Sequence, residues 1–232
     1  MNLGIEESNL FAEKMLIEQQ EKTEIKENLY NFFKRFMDII GATVGVILLI
    51  PITIIIYILK KVHKEEGPIF YEQLRIGKGG KQFRIYKYRT MVMNADEKLW
   101  EYLNSNEEAK KEYEKYKKLK DDPRITPVGK ILRKTSLDEF PQFINVLKGE
   151  MSMVGPRPYL HREIKDMGDN YNKIISVKPG ITGYWQVNGR SEIDFKERTD
   201  MDVAYINDKN TWFDIKLVIK TVLKIFKKDG AI

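Results

Sequence analysis

The 232-residue chain has no cysteine, which removes disulfides and thiolate chemistry from any account of it. Histidine is almost as scarce. His63 and His161 stand alone, with no ligand set of zinc spacing around either. The Lys78-Gly79-Gly80-Lys81 stretch lacks the spacing and the Gly-Lys-Ser/Thr ending of a phosphate-binding P-loop. Nucleic-acid binding finds no support, because zinc-ligand spacing and a continuous basic helix are both missing. The net charge of +6, from 40 Lys and Arg against 34 Asp and Glu, favours anionic surfaces or substrates without naming one.

Charge is missing altogether from Ile39 to Leu59. At about 1.5 Å per residue a straight helix over that stretch reaches roughly 30 Å, one hydrocarbon core, so lipid contact is expected between Phe36 and Leu59. A secretory signal is not expected: residues 1–33 ahead of it are polar and charged, and no small-residue cleavage pattern follows. Pro51 lies inside the run, where it lacks the amide proton of the helical ladder and favours a kink. Basic residues flank both ends, Lys34 and Arg35 before and Lys60, Lys61 and Lys64 after, whereas a spanning helix concentrates them on one side. A helix that enters one leaflet, turns at Pro51 and returns would place both clusters beside anionic headgroups. An ordinary spanning helix with a tolerated proline is the alternative.

Three segments follow from this: a charged helical lead-in over 1–33, a membrane element over 34–61, and a cytoplasmic domain over 62–232. The lead-in carries a modest apolar stripe of Phe11, Met15 and Leu16. In the domain, Gly67-Pro68 marks a turn before a strand, and Gln82 to Thr90 alternates as a second half-buried strand, with Ile76 to Lys81 as the turn between. Residues 94–120 are charged and helical in period, offering Leu99, Trp100, Leu103, Tyr113 and Tyr116 as a docking face. The C-terminal stretch 212–228 alternates lysines with large apolar groups, which suits either a headgroup layer or packing against the domain.

The densest candidate for chemistry is Leu132-Arg133-Lys134-Thr135-Ser136-Leu137-Asp138-Glu139-Phe140-Pro141-Gln142. Of two adjacent carboxylates with cations beside them, one can attack an electrophile while the other holds a hard divalent metal such as Mg²⁺. Ser136 and Glu139 also fit a helix capping box, which is the plainer reading. Pro156-Arg157-Pro158 restricts the backbone around an arginine, as bidentate phosphate binding requires, and a rigid surface turn with a solvated arginine is the other reading. The glycine-rich run from Lys178 to Arg190 suits a sugar or nucleotide pocket wall, with Gln186 and Arg190 as its binding side chains, or its glycines serve only as turn residues.

Several of these segments coincide, in order, with one family. From about Phe32 onward the chain resembles the bacterial sugar transferases, monotopic phosphoglycosyl transferases that load a phosphosugar onto polyprenyl phosphate. The motifs are Lys34-Arg35-Phe36-Met37-Asp38, the proline-broken apolar run, Gly67 to Gln73, Tyr86 to Met91, Asp122 to Thr126, Thr135 to Gln142, Gly155 to Pro158 and Pro179 to Gly183. The resemblance implies an α/β fold, mostly helical with a small sheet, anchored by a re-entrant helix-break-helix at the cytoplasmic face of the bacterial inner membrane. It implies a ping-pong reaction: Asp138 as nucleophile on a UDP-sugar, UMP released, and undecaprenyl phosphate as the second substrate. Glu139 would coordinate Mg²⁺, Lys87 and Arg89 would form a basic wall near the membrane, and Arg133 and Arg157 would bind substrate. Glucose- or galactose-type hexose-1-phosphate is the expected cargo. The product would pass to downstream glycosyltransferases of exopolysaccharide, capsule or O-antigen assembly, with a homodimer left open. The larger members carry spanning helices before this domain; with residues 1–33 ahead of it, none is expected here. Ile50 stands where many members have serine, Phe140 where they have leucine and Trp185 where they have alanine, which leaves sugar preference open. A membrane-anchored scaffold and a nucleic-acid binder are the non-enzymatic alternatives.

Overall fold

The computed structural model describes residues 3–116, 119–189 and 193–227, with side chains from Lys14 to Lys224 within those bounds. A single helix, α1 (Leu3–Val62), runs through Pro51, so the break expected there is not shown. Hydroxyls hold the turn around the proline: the Thr53 side chain donates to the Leu49 carbonyl at 2.7 Å and lies 2.6 Å from the Tyr88 hydroxyl. Among the described residues α1 is the one helix long and apolar enough to cross a membrane, which points to membrane association.

Two small sheets and a set of shorter helices pack along α1. Strands β1 (Phe70–Ile76) and β2 (Gln82–Tyr88) form an antiparallel hairpin, close to the strands expected from the alternation. Helices α2 (Ala95–Ser105) and α3 (Glu107–Tyr116) form the charged hairpin, where Leu99 and Leu103 are buried and Trp100 is 59% exposed, outside the docking face assigned to it. Then come α4 (Pro127–Thr135), α5 (Gln142–Lys148) and β3 (Ser152–Val154). Next follow α6 (Ile164–Met167), α7 (Asn170–Ile174), and β4 (Gly180–Thr182), which pairs in parallel with β3. Helices α8 (Tyr184–Asn188), α9 (Phe195–Asp208) and α10 (Thr211–Lys227) complete the chain described. Among the described residues no third strand pairs with the outer edge of β2; the Asn145 side chain takes its place, accepting from the Tyr86 amide (3.1 Å) and donating to the Arg84 carbonyl (2.7 Å). That pairing satisfies two backbone groups that burial would otherwise penalise.

One face of α1 is committed to this domain over its apolar length. Ala42 packs with Ile85, Val146 and Met151; Leu49 and Ile56 pack with Tyr88, Val128 and Leu132. The approach is close enough that a Cβ at Gly45 would stand 2.3 Å from the Phe143 ring. The opposite face leaves Ile40, Ile47, Ile50 and Ile54 more than half exposed.

The flanking cations do not sit where headgroups would need them. Lys34 donates to the Val154 carbonyl (2.8 Å) and Asp214 (2.7 Å), and Arg35 to the Val146 and Leu147 carbonyls. Asp38, buried, accepts from the Ser152 hydroxyl and the Met153 amide. At the other end Lys60 is buried against Glu65 (3.3 Å) and the Arg89 carbonyl, while Glu65 accepts from the first-turn amide of α4 at Val128. Buried carbonyls and carboxylates need partners, and these side chains are the ones within reach. Lys61 and Lys64 alone of the five stay exposed. In α10, Leu217 and Asp214 are buried while Trp212, Ile219 and Leu223 are exposed, so packing accounts for one side and leaves an apolar strip on the other.

Candidate active site

The register of the hairpin assembles one wall. Tyr71 faces Lys87, Gln73 faces Ile85 and Arg75 faces Phe83, and a period of two puts Tyr71, Gln73, Arg75 and Lys87 on the same face. Arg75 is buried and donates to the Pro158 carbonyl (3.0 Å) and to Gln73 (2.6 Å). Burial, with Arg157 nearby, lowers its pKa to about 10.

The catalytic candidates stand opposite. Helix α4 starts cleanly, with Thr126 capping the Gly129 amide and Pro127 in the first turn, and ends at Ser136 in the left-handed region (φ 56°). The chain then makes a single tight turn, Leu137–Glu139. Ser136 therefore closes α4, and the capping box with Glu139 does not form. The Glu139 carboxylate instead lies 2.6 Å from the Lys87 ammonium, its side chain about a third exposed (33%). Asp138, half-buried, projects from the same turn.

The two carboxyls are pushed apart. Burial raises Asp138 to about 6, against the pull of Lys87 and with the push of Glu139. Burial would raise Glu139 as well, but Lys87, in direct contact, outweighs it and holds Glu139 below the usual range. The short bond to Lys87 belongs to Glu139, so Asp138 is the one that rises. Arg133 hydrogen-bonds the Thr90 hydroxyl (3.0 Å); burial lowers its pKa while the charge of Asp138 opposes that. Arg157, between its prolines, sits 3.8 Å from Glu163 and over the Tyr159 ring at 5.7 Å. Its field reaches Glu139. The arrangement is an ionisable carboxyl among cations, a set that is chemically able to attack a phosphorus atom and hold the charge that develops.

Not every expected residue belongs to this cluster. Arg89 donates to the Pro68 carbonyl and stacks on Tyr71 at 5.3 Å, at the end of the wall beside Lys60 of α1. Gln186 donates to the Ile181 carbonyl, and none of its described bonds reaches the carboxylate pair. Arg190 lies outside the described residues. Arg75, Gln142 and Asp202 escaped the sequence reading. Gln142, 1% exposed, lies beside Glu139 and helps to hold it ionised. Arg75 had a signal: it shares strand parity with Tyr71 and Gln73.

Among the described residues no group of three or more His, Asp or Glu could hold a metal unaided. Mg²⁺ commonly takes one or two carboxylates and completes its shell with water and substrate phosphate, and Asp138 and Glu139 fit that donor set.

A model of the family described as bacterial sugar transferase matches residues 29–228. The undecaprenyl-phosphate galactose phosphotransferase of Salmonella typhimurium is 45% identical over 200 residues, which is 86% of this chain and 42% of that protein. The UDP-glucose:undecaprenyl-phosphate glucose-1-phosphate transferase of Escherichia coli is 38% identical over 206 residues, 85% of this chain and 41% of that protein. This chain thus spans under half the length of those relatives. The exopolysaccharide production protein ExoY of Rhizobium meliloti is 37% identical over 198 residues, 85% of this chain and 87% of that protein. With the carboxylate pair, the proline-flanked arginine and the apolar helix falling inside the matched residues, the chain belongs to the bacterial sugar transferase family.

Proposed function

We propose that this chain transfers a hexose-1-phosphate from a UDP-sugar to undecaprenyl phosphate by way of a phosphosugar ester on Asp138. The observation that carries this is the carboxyl pair, one member raised toward neutrality and the other held ionised by Lys87. An oxygen of ionised Asp138 attacks the phosphorus that bears the sugar. The bond from that phosphorus to the bridging oxygen breaks, and UMP leaves with the electron pair. A phosphate oxygen of the lipid then attacks the same phosphorus and returns the carboxylate. Lys87, Arg133 and Arg157 hold the anionic groups in line and offset the negative charge as it moves. Glu139, with Asp138 beside it, would hold Mg²⁺, which supplies charge neutralisation on the diphosphate when bound. The names of the Salmonella and Escherichia coli relatives support a glucose or galactose cargo. The test is purified protein with Mg²⁺, undecaprenyl phosphate and a panel of UDP-sugars: one sugar should give equimolar UMP and lipid product, and no UMP from any of them would overturn the reading.

Attachment from one side, at the cytoplasmic face of the bacterial inner membrane, belongs to the same proposal. From Lys34 to Lys60 is about 40 Å of helix, yet both ends grip one domain. A spanning helix would have to pull β3 or α4 through the hydrocarbon. A re-entrant or leaflet-bound α1 keeps the domain in water and the pair of carboxyls within reach of a lipid phosphate. Cysteines placed at Asn28 and Glu66 should both resist an impermeant thiol reagent added to intact cells and both react after lysis. Labelling of one alone from outside would mean that α1 crosses.

A further inference from the structure

Arg157 sits on a turn whose carbonyls are held by its neighbours, Pro156 by the Gly180 amide (2.8 Å), Pro158 by Arg75 (3.0 Å) and Tyr159 by the Ile76 amide (2.9 Å), but which has few N–H groups of its own. Pro156 and Pro158 supply no N–H, so the backbone donors of the turn are those of Arg157, Tyr159 and Leu160. Leu160 donates to Glu163 at 2.7 Å. The Arg157 amide lies 3.4 Å from Oδ2 of Asp202, and the same oxygen accepts the Tyr159 hydroxyl at 2.8 Å. Asp202 projects from α9 and is fully buried, so it touches no substrate. The indole N–H of the adjacent, buried Trp185 also points at this carboxyl and favours its charged form.

A fully buried carboxyl is a poor choice for packing alone, since an apolar side chain of that size costs less to bury. We propose that Asp202 is a positioning residue, which fixes the direction of the Arg157 guanidinium by holding the Arg157 amide and the Tyr159 hydroxyl on one oxygen. Burial pushes its pKa up to about 8. The kinetic side of this inference rests on the role proposed above for Arg157; the structural side does not.

The experiment compares Asp202→Asn, Asp202→Leu and Tyr159→Phe, each alone and with Arg157→Ala. Asparagine is neutral and keeps an acceptor oxygen, so it should stay within about threefold of wild type in kcat/KM for the UDP-sugar, whereas leucine should lose about 10- to 100-fold. Tyr159→Phe, which removes one of the two bonds and little packing, should fall between them. In the Arg157→Ala background each change should cost no more than about twofold, because the group being positioned is gone. Hydrogen exchange at the Arg157 amide should quicken in Asp202→Leu and stay near wild type in Asp202→Asn. Equal losses with and without Arg157, or unchanged exchange at its amide in Asp202→Leu, would overturn the proposal. If Asp202→Leu fails to fold, Tyr159→Phe decides by the same double-variant comparison. A chain inert toward every UDP-sugar would defeat the transferase reading, yet the exchange measurement would still decide whether Asp202 holds the turn.

Discussion

Asp138→Asn is expected to abolish both UMP release and lipid product, by about a thousandfold or more, while the protein stays folded. Asparagine preserves size and shape but is a poor nucleophile, and the turn that carries it is held by backbone bonds of Ser136 and Phe140 that the change leaves alone. Covalent carriage has a stronger signature than lost turnover. Wild-type protein given the right UDP-sugar and Mg²⁺, with no lipid, should gain the mass of one phosphosugar, and the mass should vanish when undecaprenyl phosphate is added. Peptide mapping should place it on Asp138; an adduct found reproducibly elsewhere would remove the assignment. The acid limb of the same half-reaction follows from the raised pKa. The nucleophile must be ionised, so single-turnover UMP release should fall as pH drops through about 6. An ordinary aspartate would hold its rate to about two units lower.

Glu139→Gln should cost about 10²- to 10³-fold through a different route. The amide is the same size, but it loses the charge that draws Lys87 to 2.6 Å and that would draw a divalent ion. With the partner gone, Lys87 is free to pair with Asp138 and lower its pKa, which weakens it as a nucleophile. The acid limb should therefore move to lower pH as the rate falls, and the Mg²⁺ concentration for half-maximal rate should rise. Unchanged turnover with unchanged metal dependence would take Glu139 out of the site.

Those two carboxyls could be read from a dozen consecutive residues, because a short acidic pair with adjacent cations is a local pattern. The hairpin was readable for the same reason: Gln82 to Tyr88 alternates, and Ile76 to Lys81 can only turn. What could not be read was long-range. Lys34 and Arg35 look like headgroup ligands in sequence, since nothing local reveals that, far along the chain, Val154 and Asp214 will need the one and Val146 and Leu147 the other. The capping box failed because Ser136 closes one helix rather than opening the next, and Lys87 across the site claimed Glu139 first. Asp202 gave no signal at all: one of three aspartates within α9, it reads as surface until burial and Tyr159 are seen.

The grip of the domain on α1 bears on how this protein can be handled. Expression designs often discard an apolar leader to obtain a water-soluble enzyme, and a cut after residue 61 would be the obvious one here. That cut would strip Asp214 of Lys34, the Ser152 hydroxyl and Met153 amide of Asp38, and Glu65 of Lys60. It would also bare the apolar surfaces of Val146 and Leu132 to water. A shortened product should accumulate as aggregate, and detergent or nanodisc extraction of the intact chain is the route to active material.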